Sequence, residues 1–195
     1  MAENNFGAYH LANNPKVYEP ARSNTFRFVV TDIDNIKRVG YSAEDNSAAA
    51  KIANAQEMLE FSVAKASIPH FTQTAIVIRR GNSVMKAAGL PEFGEGSLTI
   101  NDFIGADGKS VLMAWQNLSY NVDTQMIGYM SDYKKNCWLI EYDPNYKIVR
   151  QWILYGCWVK GITEQEFDME GGEKRQITAQ IEYDYAKMQM PDEEE

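Results

Sequence analysis

At 195 residues, 45% hydrophobic and 12% aromatic, the chain is long and apolar enough to bury its own core as one globular domain, and too hydrophobic for a disordered chain. With 19 Lys+Arg against 27 Asp+Glu, the formal net charge of −8 argues against a general nucleic-acid binder or a membrane-surface ligand, both of which rely on clustered cations. The longest apolar run, Trp152 to Val159, has eight residues where a membrane span needs roughly 20. Met1-Ala2-Glu3-Asn4-Asn5 lacks the regions of a signal peptide, so synthesis in the cytosol is expected.

Residues 1–24 are rich in Asn and Pro and carry little periodicity, which reads as an extended N-terminal arm with scattered anchors such as Tyr9, Leu11 and Tyr18. Residues 25–190 then form a single domain. Phe26, Phe28 and Val30 alternate as in a half-buried strand. Within residues 40–58, Ser42-Ala43-Glu44-Asp45 offers a capping signal before the helix formers of Ser47 to Ala53, predicting a short helix inserted between strands. Glu60 to Ile68 returns to strand character, with a change of parity between Phe61/Val63 and Ala64/Ala66/Ile68 that suggests a bulge.

Thr74 to Ile78 is a β-branched run leading into Arg79-Arg80-Gly81-Asn82-Ser83-Val84, where Gly81-Asn82 suits a two-residue hairpin turn. Leu98 to Phe103 is another strand. Val111, Leu112, Trp115 and Leu118 follow Asp107 at helical spacing, predicting one amphipathic helix packed on a sheet. Trp138, Ile140 and Tyr142 alternate before the turn Asp143-Pro144-Asn145, and Val149 to Val159 is a long aromatic strand. The last strand places Ile177, Ala179, Ile181, Tyr183 and Tyr185 on one face and Gln176, Thr178, Gln180, Glu182 and Asp184 on the other. Residues 191–195 form an acidic tail with four of the net negative charges.

Catalytic chemistry is not evident, and no cofactor is expected. His10 and His70, the only histidines, fit no zinc-ligand spacing, and Cys137 and Cys157 read as small core residues rather than a disulfide. Glu141 with Asp143, or Glu182 with Asp184, sets two acids on one strand face roughly 7 Å apart, a spacing found in glycosidases, but on exposed strands such pairs are ordinarily solvated. Gly94-Glu95-Gly96 lacks the third glycine of a dinucleotide fingerprint. Lys134-Lys135 beside Tyr133 and Trp138 reads as a loop charge pair rather than a nucleic-acid platform.

Trp152-Ile153-Leu154-Tyr155-Gly156-Cys157-Trp158, then Phe167-Asp168, then a final strand closing on Tyr183-Asp184-Tyr185, resembles the tail tube proteins of contractile-tailed bacteriophages. In that family a Leu-x-Gly-x-Trp strand leads to a Phe/Leu-Asp pair and a strand ending Tyr-Asp-Tyr/Trp. The resemblance runs from about Arg22 to Lys187.

The resemblance implies a mainly β fold, an antiparallel β-sandwich or barrel with one packed α-helix and a short inserted helix. It further implies hexameric rings stacked into a tail tube within the virion, assembled in the host cytoplasm. Partners would be other copies of the chain, the tail sheath, the baseplate, the tail terminator and DNA in transient passage, without a membrane. Arg79, Arg80, Gly81, Asn82, Ser83 and Val84 are the candidate inter-subunit contacts, together with the arm and the insert. Glu182 and Asp184 are the candidate channel lining, where acids would repel DNA toward the axis over about 8 Å. The same residues also fit the tube of a type VI secretion or contractile injection machine. From a different class, a small-ligand-binding β-barrel lined by the aromatic strand fits too.

Overall fold

A computed structural model describes residues 20–41, 45, 47–105, 107–170 and 172–190; the arm up to residue 19, the Ser42-Ala43-Glu44 stretch and the acidic tail lie outside them. In chain order the elements are β1 (Phe26–Val30), β2 (Ile36–Lys37), β3 (Lys51–Ile52), α1 (Ala55–Ser62), β4 (Val63–Ala66), β5 (Phe71–Arg80), β6 (Ser83–Phe93), β7 (Gly96–Asn101) and α2 (Gly108–Ser119). There follow β8 (Tyr120–Asn121), β9 (Met126–Ile127), α3 (Met130–Tyr133), β10 (Lys135–Tyr142), β11 (Ile148–Glu164), β12 (Gln176–Glu182) and β13 (Tyr185–Gln189).

Alternating side chains build the main sheet. Phe28 and Val30 turn inward from β1, Ile177, Ala179 and Ile181 from β12, and Leu98 and Ile100 from β7, all buried. The strands run antiparallel in the order β1-β10-β11-β12-β7-β4, with β13 added along the first half of β11. The two outermost strands, β1 and β4, touch, so the sheet curls into a nearly closed barrel. Its interior is filled by Trp115, Leu112 and Val111 of α2 packed on Leu98, Ile100, Val159 and Ile177. Asp107 caps α2 by accepting the Ser110 N–H at 3.0 Å, and the Trp115 indole N–H donates to the Tyr133 carbonyl at 2.8 Å. The fold is the mainly β, antiparallel architecture that the sequence implies.

Several local expectations are corrected. The insert's helix formers make only a single 3₁₀ turn, Ala48–Ala50, because Lys51 and Ile52 leave it to pair with Lys37 and Ile36, burying both isoleucines. The α-helix begins later, and Glu60, Phe61 and Ser62 belong to it rather than to a strand. Ala55, Leu59 and Ser62, at i, i+4 and i+7, face the core, so two helices cover the barrel, not one. The bulge is real: the register of β4 on β7 shifts between Val63 and Lys65. On β10 the buried residues are Cys137 and Leu139, while Trp138 and Ile140 are half-buried on the opposite face. Tyr185 leaves the face of Ile177 to Tyr183, because the chain kinks at Asp184, whose N–H donates to the Tyr155 carbonyl at 3.0 Å. It is half exposed.

Candidate assembly surfaces

The hairpin β5–β6 stands apart from the barrel as its own two-stranded sheet. Its loop is Gly81-Asn82, with Gly81 at φ +60°, a conformation glycine adopts without steric cost and which matches the strand twist. Ten residues of β5 make an arm about 34 Å long. Every residue of β5 is exposed, among them Ile76, Val77 and Ile78; Val84, Met85 and Leu90 of β6 are exposed as well. An isolated hairpin is marginal in water, and this one shows apolar side chains to it. The arm carries Arg79, Arg80 and Lys86 against Glu92, a net +2 on a chain of net −8. The candidate contacts Arg79, Arg80, Gly81, Asn82, Ser83 and Val84 therefore sit together at its tip.

Its base is fastened by aromatics. Phe93 packs against Phe71 (5.7 Å), Tyr183 (6.0 Å) and Tyr185 (5.3 Å), and Tyr185 stacks on Tyr155. The buried Tyr183 hydroxyl accepts the His70 N–H at 3.3 Å, and burial raises the Tyr183 pKa. Two of the motif tyrosines thus tie the arm to the barrel.

Gly156 has a second role in the motif. Its φ of +68° forms a bulge where the register of β10 on β11 slips, and a Cβ there would lie within 3.0 Å of the Asp184 Cγ. Cys157 faces the core beyond the bulge, free and fully buried like Cys137, and burial pushes the Cys137 thiol up. Trp158 meets Tyr133 edge to face at 6.0 Å. Trp152 is half-buried and lines a cleft of about 240 Å³ with Phe26, Leu139 and Ala66. Phe167 and Asp168 lie apart from these, in the β11–β12 connection. There the Arg175 guanidinium sits over the Phe167 ring at 4.3 Å, and Asp168 accepts the Glu170 N–H at 2.9 Å.

Each acid of the suspected pairs has its own partner. Arg150 holds Glu141 through two hydrogen bonds at 2.9 and 3.1 Å, and Asp143 accepts the Asn145 and Lys147 N–H groups of its turn. Lys134 binds both oxygens of Asp184, and Lys160 binds Glu182 at 2.9 Å and Glu95. Lys160 is raised to about 12, chiefly by its hydrogen bonds to Glu95 and then Glu182, while Lys160 lowers Glu95. The candidate lining acids Glu182 and Asp184 are thus charge-compensated within the subunit. Lys160 escaped the sequence reading, although its place one strand from Glu182 was a signal that could have found it.

No protein-family model matches the sequence, and no curated protein matches it. Solved structures do. The chain is similar to one in the sheath–tube complex of the extracellular contractile injection system PVC in its extended state, with TM-score 0.61 and 16% identity over 94% of this chain and 98% of that one. It is also similar to the tube terminating cap of the anti-feeding prophage, with TM-score 0.61 and 14% identity over 88% and 91%. A third likeness is to the PVC sheath/tube terminator, with TM-score 0.60 and 16% identity over 87% and 96%. The chain shares the fold of these three chains.

Proposed function

We propose that the chain is a structural tube subunit of a contractile tail or injection particle, forming hexameric rings that stack around a channel. The observation that carries this reading is the β5–β6 arm: about 34 Å of exposed, apolar, cationic hairpin fits a further copy of an acidic chain better than water. Stacking on a neighbour would also cover the free strand edges of the arm, which otherwise invite uncontrolled pairing. The subunit then works by shape, as a conduit and not as a catalyst, with sheath, baseplate and terminator as its partners along the particle.

The finer reading is a phage tail tube that passes DNA into a host bacterium. A second reading, the tube of an injection machine, is favoured by the three likenesses above, all to chains of such machines. The ligand-barrel reading meets an interior filled by Trp115 and its neighbours, with Tyr155 and Trp158 of the aromatic strand turned to other surfaces. Electron microscopy of the purified chain tests the proposal: stacked rings with a central hole are expected, and compact monomers at every concentration would overturn it.

A further inference from the structure

The outer surface of the barrel differs in chemistry between its two halves. Over β1, β10 and the first half of β11, register places Val29 beside Trp138 and Trp138 beside Ile153, all half-buried and outside the core cluster. The same face carries Ile140 between Arg27 and Gln151, and Lys187 beside Ile153, so large apolar side chains alternate there with charged and amide ones. Over β7 and β12 the outward side chains are Ser97, Thr99, Asn101, Gln176, Thr178 and Gln180, paired in register as Asn101↔Gln176, Thr99↔Thr178 and Ser97↔Gln180. The Thr99 and Thr178 hydroxyls lie 3.2 Å apart, and the Gln176 amide donates to Asn101 at 3.1 Å.

None of these six side chains is charged, aromatic or aliphatic, in a chain that is 24% charged and 45% hydrophobic. Charge gathers at the margins of this face: Lys65 across from Thr99 on β4, Glu95 and Glu182 sharing Lys160 at one end, and Asp102 paired with Arg175 at the other. Surfaces that bind proteins carry aromatic and arginine anchors, and surfaces that bind phosphate carry clustered cations. This face has neither, and two of its three register pairs, Thr99 with Thr178 and Asn101 with Gln176, are in hydrogen-bond contact with each other.

We infer that the β7–β12 face is the wall of the channel, a neutral lining of hydroxyls and amides on which a hydrated cargo slides without being held. The inference rests on the tube reading above and replaces an acidic lining with a compensated one. Its Glu182 shares Lys160 with Glu95, and Asp184, beyond the end of β12, is paired with Lys134.

The test labels a single introduced thiol. Cys137 and Cys157 are fully buried and give a silent background. Tubes of Thr178→Cys, and separately of Ser97→Cys, are treated with a small maleimide and with one carried on a long polyethylene glycol. The small reagent is expected to label intact tubes, and the polymer to react at least an order of magnitude more slowly with tubes than with dissociated subunits. Equal polymer rates in the two states would put the face on the tube exterior. Labelling by neither reagent in tubes would put it between subunits. Either result overturns the inference while leaving the tube reading intact. Failure of the unsubstituted chain to form tubes would instead remove that reading, and the lining with it.

Discussion

The hairpin β5–β6 and the pair β7–β12 are both antiparallel and both rich in β-branched residues, yet only one has an inside. Ile177, Ala179, Leu98 and Ile100 vanish beneath α2, whereas Ile76, Val77 and Ile78 remain exposed. Alternation therefore specifies a strand, but burial depends on what the topology lays over it. Residues of the barrel, with Phe71 and Phe93 at the arm's base, hold the subunit together; the apolar side chains nearer the arm's tip have energy to gain from another molecule.

The difference is broken most severely at Trp115. Trp115→Ala leaves a cavity at the centre of the barrel and should cost about 3–5 kcal/mol, lowering Tm by about 10 °C in a thermal melt. Gly156→Ala comes next: the left-handed backbone alone costs roughly 1–2 kcal/mol, and displacing Asp184 from Lys134 adds to it. A melt of G156A matching the parent would show that the bulge has another conformation to adopt. The arm should behave in the opposite way. Ile78→Asp is expected to move stability by less than about 0.5 kcal/mol while abolishing rings in electron micrographs, and an I78D chain that still forms tubes would remove the arm from the interface.

The smallest expected effect is that of the Lys160 clamp. Glu95 is lowered in the folded chain, so its contribution is present above the ordinary carboxyl value of 4.5 and is lost as pH falls through the lowered value. Lys160 is raised, so its contribution is complete below 10.5 and is lost as pH rises through about 12. Lys160→Met should flatten both limbs of a stability–pH curve by lowering the neutral plateau toward the unchanged extremes, and the change should be small, since the pair is exposed.

Much of this was legible in the sequence wherever one periodicity acted alone. The strand of Phe28 and Val30, the helix of Val111 and Trp115 with its Asp107 cap, and the Gly81-Asn82 turn all stand where side-chain spacing puts them. The helix Ala55–Ser62 was hidden because its inward stripe is Ala, Leu and Ser, so Phe61 and Val63, apolar and two apart, imitated a strand. The displacement of Tyr185 was hidden for another reason: it depends on a hydrogen bond from Asp184 to Tyr155 across a bulge, a long-range fact no local pattern records. The assembly residues were only half visible. The turn announced the hairpin tip, but Glu182 and Asp184 looked like bare acids, because their lysines come from Lys160 and Lys134 on other parts of the chain.

The 17 residues of β11 form one strand with a contour of about 55 Å, bonded to β10 and β13 along one half and to β12 along the other. Load along such a strand passes through covalent bonds rather than through a seam of weak contacts. Gly156, where the spine bends, becomes the joint between the half of the strand that serves β10 and β13 and the half that serves β12.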